Sequence, residues 1–158
     1  MKGIKTWAEL KTLRKRFKAE GKKVVFTNGV FDIIHSGHID YLSKTKALGD
    51  ILFVGLNSDL SVKKIKGEKR PILNETERAS ILSNLKPVDY VALFDEETPA
   101  KLIEEIIPDV LVKGADWPVD KIVGSETVLA NGGEVKNIEF VSYQSTTKII
   151  ETILNRYS

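Results

Sequence analysis

Cysteine is absent from the 158 residues, methionine occurs once, histidine twice and proline five times. Without thiols the chain can form no disulfide framework, thiol nucleophile or thiolate metal site. A surplus of one charge is missing too, since 24 Lys and Arg stand against 22 Asp and Glu, for a net charge of +2. That balance is too even for a nucleic-acid footprint despite a pI near 8.7, so any preference for anions has to come from local clusters. No stretch approaches the roughly 20 apolar residues of a membrane span. The N-terminus runs from Met1 into Thr6-Trp7 with no apolar signal core. The expectation is a soluble, cytoplasmic protein with neither nucleic acid nor membrane as partner. Internal repeats and low-complexity segments are missing as well, and so are the GxGxxG dinucleotide loop and the GxxxxGK[ST] Walker loop.

What is present is the balance of an ordinary globule, with 42% hydrophobic and 29% charged residues. The length predicts one domain over residues 1–158, large enough to bury a core without staples. Trp7, Leu10, Leu13 and Phe17 recur at helical spacing, with Lys11, Arg14, Lys15 and Lys18 between them. They predict an N-terminal helix within 1–21 that packs one stripe on the domain and solvates the other. Apolar runs at 24–27, 51–56, 88–93, 110–112 and 135–141 then alternate with helical patterns near 38–48, 75–85, 99–107, 119–130 and 146–157. In the last of these, Ile149, Ile150, Ile153, Leu154 and Tyr157 mark one face. Short Val-, Ile- and Phe-rich runs separated by helices imply parallel strands buried on both faces. The predicted fold is α/β, an open doubly wound parallel sheet of about five strands. Residues 57–74, with Lys63, Lys64, Lys66, Lys69 and Arg70, are the least regular stretch and read as a long basic loop.

In such a sheet, ligands bind beyond the carboxyl ends of the strands, where the strand order reverses. The segment after the first long strand reads Asn28-Gly29-Val30-Phe31-Asp32-Ile33-Ile34-His35-Ser36-Gly37-His38. It holds both histidines of the chain, three positions apart. A helix starting near His35 puts both imidazoles on one face at its N-terminus, where free N–H groups and the helix dipole favour an anion. Gly37 removes a side chain that would hold a phosphate off the backbone. Imidazoles and N–H groups together form a cradle for a polyphosphate, placed to stabilise charge as it develops. The pair could instead be structural, or bind a metal, but no cysteine and no evident third ligand accompany it.

NGVFDIIHSGH resembles the strand-to-helix motif of the nucleotidyltransferase superfamily with a His-x-Gly-His pair. The Ser145-Thr146-Thr147-Lys148-Ile149-Ile150 turn resembles that superfamily's Ser/Thr-rich opening of a late helix. Ser or Thr there can cap the helix, while Lys148 in the first turn opposes the dipole unless an anion sits nearby. Five stretches, NSDLSVKKIKGEKRPI, VDYVALFDEETPAKLI, PDVLVKGADW, IVGSETVLANGGEV and STTKII, are similar to the adenylyltransferase domains of the ADP-heptose synthase family, from about Thr6 to Ile153. Family members commonly carry Cys at the place of Val30, Gly at that of Tyr143 and Gly at that of Ala115. The Arg-Thr-x-Gly that precedes the Ser/Thr turn in cytidylyltransferases is missing, which weakens a CTP reading.

The resemblance implies a Rossmann-like nucleotidyltransferase that moves AMP from ATP to D-glycero-β-D-manno-heptose 1-phosphate. It also implies Mg²⁺ bound mainly through ATP with no protein metal site, a homo-oligomer, and a separate sugar kinase that makes the acceptor. Its implied catalytic residues are His35, His38, Lys66 and Arg70. Nucleotide binding falls to Asn28, Gly29, Val30, Phe31, Asp32, Gly37, Arg78, Lys113, Gly114, Asp116, Ser145, Thr146 and Thr147. Asn57, Asp59 and Lys64 are the substrate candidates. Several have a plain structural alternative: Phe31 as core, Asp32 as a helix cap or imidazole orienter, Arg78 as partner of Glu75, Asn57 and Asp59 as an Asx turn, and Trp117 as loop packing instead of a ring stack. The competing functions are a polyol- or sugar-phosphate cytidylyltransferase and a non-catalytic nucleotide-binding module.

Overall fold

The computed structural model describes residues 3–140 and 144–158. Its order is β1 (Gly3–Ile4), α1 (Trp7–Ala19), β2 (Val24–Gly29), α2 (Ser36–Lys46), β3 (Ile51–Asn57), α3 (Asp59–Lys66), α4 (Glu75–Ser83), β4 (Tyr90–Phe94), α5 (Ala100–Ile106), β5 (Val110–Gly114), a 3-10 turn (Val119–Lys121), α6 (Ser125–Ala130), β6 (Glu134–Ile138) and α7 (Thr146–Tyr157). The strands form one six-stranded parallel sheet in the order β1-β4-β3-β2-β5-β6. The sheet is the expected doubly wound type, with one strand more than the pattern shows. That strand, β1, pairs only Gly3 with Tyr90 and Ile4 with Val91, too short to leave a periodicity.

Successive side chains of β2 point to opposite faces. Val24 and Phe26 pack with Leu10 and Phe17 of α1, Leu102 and Ile106 of α5 and Val128 of α6. Val25 faces Tyr41 and Leu42 of α2 and Ala79 and Leu82 of α4. Each fully buried Leu, Val or Phe stabilises the fold by about 1.5–3 kcal/mol relative to exposure. The Thr6 hydroxyl and the Glu9 carboxylate cap α1 reciprocally. Its basic stripe is not all solvated, because Arg14 is buried and pairs with Asp109 at 2.8 Å. That carboxylate also accepts the N–H of Val24, so α1 is tied to the entry of β2.

Two helical expectations need correction. The basic stretch 57–74 contains α3, capped by the Ser58 hydroxyl on the Ser61 N–H, with Asp59 in the first turn and Lys63, Lys64 and Lys66 in the last. The cap and the dipole-matched charges were visible, but the dense lysines concealed the short apolar stripe. The segment 119–130 divides into the 3-10 turn and α6. Gly124 (φ +88°) makes the break, and a Cβ there would come within 2.6 Å of the Ile103 side chain. α7 forms as expected, yet none of its residues is buried, and Leu154 is 56% exposed. Val141 of the predicted last strand and Tyr143 lie outside the described residues. Among those described, no helix is long and apolar enough to cross a membrane.

From β2 the chain runs outward through β3 to β4, then crosses back to β5 on the other side of β2. Connections therefore leave the carboxyl ends of β2 and β5 in opposite directions, and a crevice opens between them.

Candidate functional site

The turn leaving β2 is strained and closely braced. Phe31 has φ +46°, the left-handed region that a bulky residue rarely adopts, at a cost of about 1–3 kcal/mol. Gly29 makes room for it, since a Cβ at Gly29 would lie 2.8 Å from the Phe31 ring. Behind the turn, Arg78 is wholly buried. Its guanidinium donates to the carbonyls of Val30 (2.8 Å), Asn57 (2.8 Å) and Leu73 (2.9 Å) and to the Asp59 carboxylate (2.8 Å). One side chain thus joins the carboxyl ends of β2 and β3 to the start of α4.

Asp32 is the second brace. Its carboxylate accepts from Arg70 Nε (2.7 Å), the Ile72 N–H (2.9 Å) and the Leu73 N–H (3.0 Å). Burial alone would raise its pKa, but the Leu73 and Ile72 N–H groups and then Arg70 outweigh that and hold it below the usual carboxylate range. Asp32 therefore neither caps α2 nor orients an imidazole. It fixes Arg70 and the segment that follows it.

The histidines open α2 as the spacing predicts. His35 is the N-cap, and its Nδ1 accepts the Gly37 N–H at 3.2 Å. His38, three residues on, accepts the His35 N–H at Nδ1 at 3.3 Å. The rings lie 3.9 Å apart, and Phe31 meets His38 edge-on at 5.3 Å. Desolvation lowers the pKa of both, and the His35 charge adds to it at His38, which falls to about 4. At neutral pH both rings are then uncharged. Because each Nδ1 is an acceptor, the proton sits on Nε2, so each ring offers one N–H donor.

Both histidines line a cavity of about 980 Å³ at the crevice. Asn28, Gly29, Val30, Phe31 and Asp32 form its floor, and Asn57 extends it toward β3. Ser145, Thr146 and Thr147 close one side, with the Ser145 hydroxyl capping α7 on the Lys148 N–H. Lys66 and Arg70 also line the cavity. A recess of about 240 Å³ shares Asn28, Gly29, Val30, Phe31, His38, Lys113, Trp117 and Phe140 with the cavity and adds Tyr41, Gly114 and Asp116. Phe140 stacks on Tyr41 at 4.7 Å. Lys113, at the end of β5, has a pKa lowered by burial. Its ammonium meets the Asn28 amide oxygen at 3.4 Å and has no carboxylate partner among the described residues. A desolvated cation in that state favours an anion beside it.

Four of the sequence candidates are not brought into the cavity. Arg78 and Asp59 pair with each other behind the wall, because the guanidinium is taken up by strand-end carbonyls. Lys64 donates to the Asp95 carbonyl at 3.3 Å. Gly37 is buried at the cap, and its N–H is already engaged by His35, so it does not face a phosphate. The sequence reading in turn missed Glu97, Thr98 and Pro99, which line the cavity after β4. Their position at a strand's carboxyl end was the available signal. Among the described residues there is no group of three or more His, Asp or Glu that could hold a metal ion.

Residues 26–152 match the family described as Cytidylyltransferase-like. The chain is 58% identical over 142 residues to the bifunctional protein HldE of Citrifermentans bemidjiense, covering 90% of this chain and 29% of that protein. It is 50% identical over 155 residues to HldE of Pelobacter propionicus, covering 98% of the chain and 32% of the relative. It therefore spans about three tenths of the length of these curated relatives. A solved structure described as the lipopolysaccharide core biosynthesis protein from Thermoplasma volcanium superposes with a TM-score of 0.62 at 35% identity, covering 78% of this chain and all of that one. A pantoate-beta-alanine ligase from Francisella tularensis, complexed with an ATP analogue and beta-alanine, also gives 0.62 over 93% of this chain and 69% of its own. At 13% identity it shares the fold alone.

Proposed function

The chain belongs to the Cytidylyltransferase-like family of nucleotidyltransferases, and from that premise we propose that it adenylylates D-glycero-β-D-manno-heptose 1-phosphate with ATP. The products are ADP-heptose, for the lipopolysaccharide inner core, and pyrophosphate. The observation that carries the reading is the pair of Nε2–H donors on His35 and His38 together with Lys113, which has no carboxylate partner among the described residues, in a cavity of about 980 Å³. Relatives named bifunctional HldE and a lipopolysaccharide core protein support the choice of heptose.

In this mechanism an oxygen of the acceptor phosphate attacks the α-phosphorus of ATP in line. A bond forms between them, the bond from that phosphorus to the β-phosphate oxygen breaks, and its electron pair leaves with pyrophosphate. The attacking oxygen is already anionic, so positioning and charge stabilisation carry the catalysis. His38 donates to the α-phosphate as charge builds there, and His35 to the departing phosphates. Lys113 and the Ser145-Thr146-Thr147 turn hold the nucleotide's phosphates on the β5 side, and Gly114, Asp116 and Trp117 meet the nucleoside. Lys66 and Arg70 grip phosphate from the α3 side, Arg70 with its orientation fixed by Asp32. Mg²⁺ bound mainly through ATP would supply further charge neutralisation at the phosphates that His35, His38 and Lys113 hold. A sugar kinase must supply the acceptor, and the bifunctional relatives are consistent with that coupling. The reading includes a cytoplasmic homo-oligomer, supported by the exposed Ile153, Leu154 and Tyr157 stripe of α7, which light scattering checks.

Pyrophosphate release with ATP and with CTP, across sugar 1-phosphates and polyol phosphates, tests the assignment. Turnover is expected with ATP and heptose 1-phosphate. Turnover confined to CTP and a polyol phosphate would overturn it, and ATP binding without turnover on any acceptor would favour a binding module.

A further inference from the structure

We propose that Glu97 forms, with Thr98, a subsite that reads the hydroxyl groups of the acceptor, and so selects a polyhydroxylated phosphate. The inference rests on the adenylyl-transfer reading above and deepens it.

Two carboxylates line the larger cavity among the described residues, Asp32 and Glu97. Asp32 is saturated by Arg70, Ile72 and Leu73. Glu97 has no hydrogen-bond or ion-pair partner among the described residues and is exposed to the cavity. The ordinary reason for an acid and a threonine just before a helix is capping, but α5 has Pro99 at its N-cap and no side-chain cap bond. Glu96, the neighbouring acid, pairs instead with Lys101 at 3.4 Å. The loop is also anchored. The Ser61 hydroxyl donates to the Glu96 carbonyl at 2.5 Å and accepts from the Asn57 amide at 2.9 Å, and Lys64 holds the Asp95 carbonyl. Glu97 therefore stands on a braced wall.

A lone carboxylate is unfavourable beside phosphate, since like charges at close range repel. In a cavity that takes two phosphorylated substrates, it has to face a part of them that is neutral and rich in donors. A carboxylate accepts only, and accepts O–H bonds strongly because they are charge-assisted. Topology separates it from the nucleoside end. β4 and β5 are three strand spacings apart in the sheet, about 14 Å at roughly 4.8 Å each. Trp117 follows β5 and Phe140 follows β6, and at that end of the cavity and its recess they offer ring faces for a base. Glu97 follows β4, where the sugar of the acceptor lies once its phosphate is beside the histidines. A site built to bond a hydroxyl rejects an analogue that lacks it far more strongly than an apolar pocket rejects a missing methylene.

The test compares Glu97→Gln with the wild-type protein on ATP and heptose 1-phosphate, on deoxygenated sugar 1-phosphates, and on a simple alkyl phosphate. Loss of one charge-assisted bond predicts an acceptor KM raised by about 10-fold or more. The KM for ATP, the Mg²⁺ concentration for half-maximal rate and the thermal midpoint stay unchanged, and the preference for hydroxylated over deoxygenated acceptors shrinks. An unchanged acceptor KM, or a shift confined to ATP or Mg²⁺, overturns the subsite. Wild-type protein inactive on every sugar 1-phosphate would instead remove the adenylyl-transfer reading on which it rests.

Discussion

The turn after β2 and the segment after β3 bring charged side chains to the same cavity under opposite conditions. In residues 28–38 the groups that shape the turn are held by partners. Val30 is held by Arg78, Asp32 by Arg70 and two N–H groups, and each imidazole by a backbone N–H. In α3 and its extension, Lys66 has no such partner among the described residues and is exposed, while Leu60 and Ile72 lie half in solvent. A cation's distance from the cavity in the sequence therefore says little about its work. Arg78 is as basic as Lys66, yet one builds the wall and the other projects from it. What separates them is whether buried carbonyls compete with a ligand for the charge.

Replacing Arg78 with Met should break the comparison most severely. It leaves three carbonyls, that of Asn57 buried and those of Val30 and Leu73 partly so, and Asp59 without their donor, and breaking a buried charged network costs about 3–5 kcal/mol. Urea unfolding should show that loss, and Arg78→Lys should recover little of it because an ammonium cannot span the four acceptors. An Arg78→Met protein of unchanged stability but weak ATP binding would move Arg78 back to the ligand side.

His38→Ala should have the next largest effect, in rate instead of stability. Removing one donor aimed at developing phosphate charge lowers kcat by about 10²–10³-fold. The pH profile sharpens the point. The pKa of His38 is lowered from 6.5 to about 4, so the folded protein binds fewer protons than the unfolded chain between those values. Stability then rises with pH across that window and declines as pH falls from 6.5 toward 4. An NMR titration of the His38 ring should place its midpoint well below 6.5, toward about 4. A midpoint near 6.5 would mean that the ring is an ordinary solvated imidazole.

These outcomes bear on how much was legible in the residues themselves. The doubly wound sheet was, because Val24 to Phe26 and Ile51 to Leu56 are short apolar runs with helices between them, and the histidine spacing located the crevice. Arg78 lies outside the cavity because three of its partners are carbonyls, which leave no trace in side-chain chemistry, and Asp59 goes with it as its carboxylate partner. Gly37 was placed on phosphate because a free helix N–H was assumed, whereas the His35 ring already fills that role. Glu97 went unnoticed among three adjacent acids, and only the absence of an α5 cap bond singles it out. Contacts between distant segments, such as Asp32 with Arg70, Ile72 and Leu73, arise from the assembled sheet and have no local pattern.

Lys66→Ala is the mildest perturbation and the one that tests the loose wall directly. With an exposed side chain and no partner among the described residues, its removal should leave unfolding stability within about 0.5 kcal/mol. Its work, if it grips phosphate from α3, appears only when ligand is present. Substrate KM should then rise several-fold at low ionic strength, and the difference from wild type should shrink as salt is raised, since exposed charges are screened within about 10 Å at 0.1 M. Lys113, desolvated at the end of β5, should show little such salt dependence in the matching Lys113→Ala comparison. If both variants respond alike to salt, the contrast between a braced wall and a projecting one does not extend to how the cavity holds its anions.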